Sequence, residues 1–316
     1  MREKTFKLDK EPAPLVVLDF MVATWDVFSF LEPYYNLYST SLMEKVIKAC
    51  WAMKINRGPD MLPKHDYTIV VVSDKRFENS KMYWRGVEVN RDERVELLWE
   101  EYCEKRGKSI DEISLKYKGN RTTERNDKFY QVVEIGWQYA TEYFPSFKQE
   151  GYEADDWAGA IYRLSKYKLG VCRDRQILLS TVDRDWSGLV DESCNIYWAN
   201  TRKPREKEAI QERLAGEDQV ILHTKMKMKK DISHPLEIFQ AKHEYGELGD
   251  NLPPGAPIEY IDLSIPHPKY NIESLPQYPD LVQRVNDPNP NMRWDHYESA
   301  NKALKKIGLN SVPWSF

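Results

Sequence analysis

Acidic residues crowd two short stretches of the chain. Glu153, Asp155 and Asp156 fall within four positions of GYEADDWAGA, and Asp183 and Asp185 follow in LLSTVDRDWS. Carboxylates this close repel one another and cost stability unless a partner neutralises them. A helix N-terminus explains one or two such acids, through capping and the macrodipole. It does not explain a set joined by Asp19 and Asp74, which end two apolar runs as Asp183 ends a third. Each strand-end Asp, taken singly, reads equally well as a turn former. Converging, the acids would form an oxygen-rich pocket suited to hard divalent cations such as Mg2+ or Mn2+, with no His or Cys ligand needed. Two such ions about 4 Å apart activate a water and stabilise both the attacking and leaving oxygens of a phosphodiester displacement.

Positioning these acids requires strands that end together. The runs PLVVLD, YTIVVVSD and QILLSTVD each have the length of a fully buried strand. Helical patterns lie between them, at about 41–55, 92–106, 126–144 and 153–167. Strand alternating with helix predicts an α/β fold, a mainly parallel central sheet flanked by helices. Ligands of such sheets bind beyond the carboxyl ends of the strands, where the three strand-terminal aspartates fall. After about residue 246, Pro, Asn and Tyr become frequent, which predicts a loop-rich C-terminal region with one late helix near 296–307.

Composition narrows the function classes. The chain has 316 residues, 41% hydrophobic and 30% charged, room for one large domain or two small ones. No run approaches the roughly 20 apolar residues of a membrane span, and the N-terminal segment has no apolar core behind its charges, so a cytoplasmic protein with no membrane partner is expected. The cysteines, at 50, 103, 172 and 194, form no CxxC pair and read as buried thiols. A net charge of −4 argues against a simple polyanion binder, yet KYKGNRTTERNDK holds five cations against two acids and KMKMKK holds four against none. The 10 Trp and 19 Tyr invite stacking on single strands, although most such rings fill cores.

In this order the motifs resemble those of the phage and bacterial 5′-nucleases, or flap endonucleases, of the PIN-like superfamily. YEADD is similar to that family's acidic helix start and STVDRDW to its strand-end aspartate pair, with Asp19 and Asp74 in the places of the two earlier acids. KYKGNR, with YWR before it, resembles the basic motif at the base of a helical arch, and GELGDNLPPG the late acidic motif. The resemblance implies a catalytic domain over 1–255 with an arch region at about 80–130, followed by a modified duplex-binding part over 256–316. It implies two Mg2+ ions, replaceable by Mn2+, the first held by Asp19, Asp74, Glu153, Asp155 and Asp156 and the second by Asp183, Asp185, Glu247 and Asp250. Asp155, Asp183 and Lys118 would be the catalytic residues, with Lys118 at the scissile phosphate. Tyr83, Arg85, Lys116 and Arg121 would hold nucleic acid, as would Lys229 and Lys230 if KMKMKK grips duplex rather than facing solvent.

The implied activity is metal-dependent 5′-3′ exonuclease and flap endonuclease action on DNA with 5′ ends or flaps, extending to RNA–DNA hybrids in primer removal. Its setting would be phage-type DNA replication or recombination, with a single-strand-binding protein or polymerase as partner. Three departures stand out. The stretch between Arg85 and Tyr117 is long and includes RDERVELLWEEYCEKRGK, Glu247 stands where the family has Asp, and the glycine-rich helix-turn-helix pattern expected after NLPPG is missing. A PIN-type ribonuclease is the nearest alternative, and a non-catalytic nucleic-acid-binding protein with a degenerate site is the alternative from another class.

Overall fold

The computed structural model describes residues 14–57, 67–75, 81–84, 87–111, 113–116, 118, 126–150, 152–166, 175–183, 186, 189, 196–199, 220–223, 229–232, 243–247, 250–256 and 293–309. Five strands form the central sheet: β1 (Leu15–Asp19), β2 (Thr68–Val72), β5 (Ser146–Phe147), β6 (Ile177–Ser180) and β7 (Ile196–Ala199). They lie in the order β5-β2-β1-β6-β7, and every pairing is parallel. β1 sits centrally, with Leu15 opposite Thr68 on one side and Ile177 on the other. Its sequence LVVLD is buried throughout, as expected of a parallel strand covered on both faces.

Alternation of side chains splits the sheet's apolar residues between two layers. Val16, Leu18, Ile69, Val71 and Leu178 enter a core shared with α1 (Phe20–Leu31), α2 (Thr40–Arg57), α4 (Asp127–Tyr143) and the last helix, α6 (Arg293–Lys306). Val17, Val70, Val72 and Leu179 are equally buried on the other face, where α5 (Ala154–Lys166) packs against β2 and sets Trp157 beside Phe147. In the first layer the Trp51 ring stacks on Phe20 at 4.8 Å and donates its N–H to the Val132 carbonyl at 2.9 Å. α4 comes this close to α2 only because position 136 is glycine: a Cβ there would lie 2.1 Å from the Trp51 ring.

β1, β2, β6, helices α2 to α5 and the late helix follow the pattern expected from the sequence, with shifted ends, whereas the short edge strands β5 and β7 were not anticipated. α1 was not anticipated, because FMVATWDVFSFL is apolar on nearly every face and carries no amphipathic period. Two antiparallel hairpins stand outside the sheet, β3 (Lys81–Trp84) with β4 (Val87–Asn90), and β8 (Val220–His223) with β9 (Lys229–Ile232). Within the stretch expected to form an arch, β3 and β4 lead into α3 (Arg91–Arg106). Asn90 caps α3 by accepting from the amides of Asp92 and Glu93, and Gly107 ends it with φ 58°. Val95, Trp99 and Cys103, spaced by four, lay one face of α3 on Leu252 and Ala256 in a second core. Cys50 and Cys103 are buried free thiols, as read from their isolation. No described helix is long and apolar enough to cross a membrane.

Candidate functional site

Parallel strands deliver their carboxyl ends to one edge, and the acids gather there. Asp19 is the last residue of β1 and also the N-cap of α1, accepting through Oδ1 from the amides of Met21 and Val22 at 3.0 and 3.2 Å. Its Oδ2 accepts from the Thr181 hydroxyl at 2.8 Å, just past the end of β6. The residue is only 6% exposed. Burial, then the charge of Asp74, then that of Asp183 push the Asp19 carboxyl up to about 7, against the opposing hydrogen bonds from Thr181 and Val22. The charges that follow β2 and β6 thus both reach the carboxyl that ends β1. Asp183 itself is exposed, and its amide donates to the Thr181 hydroxyl at 3.0 Å, so one threonine orients both the Asp19 carboxylate and the backbone at Asp183.

The start of α5 supplies the next group. Asp74, two residues past β2, accepts from the Ala154 amide at 2.8 Å, while Asp156 reaches back to the Glu153 amide at 2.9 Å. The amides of a helix N-terminus therefore neutralise part of this acidic cluster, and the capping reading holds for one oxygen each of Asp74 and Asp156. Asp155 accepts from the indole N–H of the buried Trp186. The backbone bridge between Lys75 and Tyr152 ties the end of β2 to the approach to α5.

The basic and late acidic motifs meet at Lys118. Its ammonium lies 3.0 Å from Glu153 Oε1 and 3.7 Å from Asp250 Oδ1, and its amide donates to the Asp250 carbonyl at 3.2 Å. The late motif is a closed loop: Glu247 and Leu252 exchange both backbone hydrogen bonds, and Gly246 turns the chain with φ 81°. A Cβ at position 246 would sit 2.7 Å from the Leu252 carbonyl oxygen, so glycine is required there.

Eight of the nine acids expected as ligands are described. Asp19, Asp74 and Asp183 form one electrostatic group, and Lys118 links Glu153 to Asp250. Asp155 and Asp156 lie in the first turn of α5, and Glu247 lies at the late-loop bridge. Among the described residues no three His, Cys, Asp or Glu side chains stand as a ready-made metal cage. The donor chemistry fits a hard divalent cation all the same: each expected ligand offers only carboxylate oxygen, and burial together with the charges of Asp74 and Asp183 penalises the ionised Asp19 carboxyl, a penalty that a cation would offset.

Lys116 is exposed, and Tyr83 lies in β3 and Lys229 and Lys230 in β9. Asp185, Arg85 and Arg121 lie outside the described residues, as do residues 224–228 of the basic run and residues 257–292 of the C-terminal region. Sequence reasoning missed Thr181, Trp186 and Asn251 as supports. All three stand inside the quoted motifs as non-acidic neighbours of the acids, which was the available signal.

No protein-family profile matches the chain, and no curated protein does. Among solved structures, the chain is similar to a bacteriophage T5 D15 flap endonuclease (D155K) in a pseudo-enzyme-product complex with DNA and metal ions, at 16% identity and TM-score 0.42, covering 95% of each chain. It is also similar to T5 5′-exonuclease with bound divalent metal ions (zinc), at 18% identity and TM-score 0.43, covering 95% of this chain and 100% of that one. Likeness at this level carries no functional argument; the geometry above does.

Proposed function

We propose that the chain is a divalent-metal-dependent, structure-specific 5′-nuclease that hydrolyses phosphodiester bonds in DNA, acting as a 5′-3′ exonuclease and flap endonuclease. One observation carries the reading. Asp19, Asp74 and Asp183 come from three strand ends to a single edge, where burial first and then the charges of Asp74 and Asp183 raise the Asp19 carboxyl to about 7, a cost that a bound cation would offset. Asp19, Asp74, Glu153, Asp155 and Asp156 would hold one Mg2+, and Asp183, Asp185, Glu247 and Asp250 a second, with Mn2+ able to replace either. When bound, the ions would supply an activated water and charge stabilisation at the reacting oxygens.

The chain's own groups have distinct tasks in this reading. Thr181 holds the Asp19 carboxylate in one orientation, and Trp186 does the same for Asp155. Lys118, already between two carboxylates, would donate to a non-bridging phosphate oxygen as negative charge builds there. Lys116, Arg121, Arg85, Lys229 and Lys230 would grip the sugar–phosphate backbone, and Tyr83 would stack near the 5′ end. Primer removal from RNA–DNA hybrids, a setting in phage DNA replication within the host cytoplasm, and a single-strand-binding protein or polymerase as partner complete the proposal.

The test compares a 5′-flap DNA, a nicked duplex, an RNA–DNA hybrid and a single-stranded RNA, each with Mg2+ and with EDTA. Flap cleavage near the junction that EDTA stops is the expected result. Cleavage of the single-stranded RNA alone would replace the proposal with a ribonuclease. Binding of every substrate without cleavage would leave a nucleic-acid-binding protein.

A further inference from the structure

Helix α3 is joined to the candidate site through an uncharged side chain. Trp99, packed in the second core with Val95, Cys103, Leu252 and Ala256, donates its indole N–H to the Asn251 carbonyl at 2.9 Å. Asn251 is wholly buried and holds φ 61°. Its side-chain amide donates to the carbonyls of Ser114 and Lys116, the latter at 2.9 Å. Two residues further on, Lys118 holds φ 57° and returns its own amide to the Asp250 carbonyl. Asparagine tolerates a left-handed conformation, but at a lysine it persists only where the surroundings over-determine it. Here the surroundings are a chain of hydrogen bonds running from α3 through Asn251 to segment 114–118, ending at the ammonium between Glu153 and Asp250.

We propose that Trp99 and Asn251 are positioning residues that fix Lys118 and Asp250 relative to the acids at the start of α5. Burial of the Trp99 ring would hold the late loop against α3 without its N–H. What the N–H and the Asn251 amide add is direction: they set the register between two segments that, among the described residues, share no ladder. The Asn251 donors face two main-chain carbonyls from the segment carrying Lys118, so moving Asn251 moves Lys118. The part played by Lys118 in catalysis rests on the nuclease reading; its placement by Asn251 does not.

Trp99→Phe keeps most of the apolar ring and removes the N–H, and Asn251→Asp keeps the shape but turns a donor into an acceptor facing two carbonyls. Ile47→Val, in the helical layer on the other core, controls for stability alone. In metal-free protein, brief acylation by an amine-reactive ester, read by peptide mass spectrometry, reports how freely Lys118 leaves its carboxylates. Acylation at Lys118 should rise several-fold in both site variants, with Lys48 unchanged and no rise in Ile47→Val. On flap DNA with Mg2+, the single-turnover rate at saturating substrate should fall about tenfold or more in Trp99→Phe, since small misplacements cost large factors, while binding in EDTA stays within about twofold. Trp99→Phe with parental Lys118 acylation and parental single-turnover rate would overturn the proposal. If the parent cleaves no nucleic acid, the nuclease reading fails and the acylation result still decides whether Asn251 and Trp99 place Lys118.

Discussion

The two sides of the site are held in place by different physics. On the sheet side, Asp19, Asp74 and Asp183 follow buried parallel strands, and their positions come from backbone ladders and from amides at two helix starts. On the loop side, Lys118, Glu247 and Asp250 follow no sheet strand and depend on a backbone bridge, two left-handed residues and single side-chain hydrogen bonds. The sheet side is redundant, because removing any one contact leaves the ladder intact. The loop side has little redundancy, so one substitution there shifts several groups at once. Chemistry should therefore fail most sharply when a charge is lost from the sheet side, and architecture most easily when a support is lost from the loop side.

Asp183→Asn tests the first half most severely. Removing one ligand charge should lower flap cleavage by about a thousandfold or more while the fold survives, because like-charge repulsion is relieved. Near-parental turnover in Mg2+ would remove Asp183 from the site. Lys118→Ala should come next, with a loss of about a hundredfold in single-turnover rate and a smaller loss in substrate affinity, as for a cation acting mainly on developing charge. Equal losses in rate and affinity would make Lys118 a binding residue only.

Stability separates the sides further. Asp19 sits at about 7 when folded against an ordinary 3.8, so between those values the folded chain binds the more protons. Its contribution to stability is full below about pH 4 and lost as pH rises through about 7, amounting to about 4 kcal/mol at most for a shift of about three units. In EDTA at pH 8, Asp19→Asn should melt several degrees above the parent, and the difference should vanish at pH 4. Mg2+ should raise the parent's melting temperature more than the variant's. On the loop side, Gly246→Ala forces a Cβ against the Leu252 carbonyl and should cost about 1–3 kcal/mol by thermal melting, with a larger share of activity lost than of fold. Glu247→Asp should have the smallest effect, a modest weakening of the Mg2+ dependence of cleavage with partial rescue by Mn2+. Identical metal titrations would exclude Glu247 as a ligand.

Much of the sheet side was legible in the sequence. Buried parallel strands write themselves as short, nearly continuous apolar runs, and LVVLD, TIVVV and ILLS are of that kind. An acid at the end of each run then falls at the ligand-binding edge without further information. α1 was not legible: only one face is buried, but Met21, Val22, Trp25 and Phe30 make its half-buried face apolar too, and the period that would reveal it is blurred. The loop side was legible only as motifs. GELGDN and KYKGNR show their charges, but nothing in either says that Asn251 spans the gap to Ser114 and Lys116. That contact is long-range, more than a hundred residues apart in sequence, and leaves no local periodicity. α3 was read as an amphipathic helix within the expected arch; its contact with Leu252 and Ala256 follows from tertiary packing that Val95, Trp99 and Cys103 alone do not specify.

The separate core beneath α3 has a thermal consequence. A few side chains sheltering one loop melt out at a lower free energy than the ladder of β1, β2 and β6, because local opening exposes far less surface than global unfolding. The amides of Lys118 and Leu252 should then exchange hydrogen for deuterium well before those of Val17 and Val70. On warming, the protein will reach a temperature at which its sheet is intact and its circular dichroism native, but Lys118 and Asp250 no longer face the acids of α5.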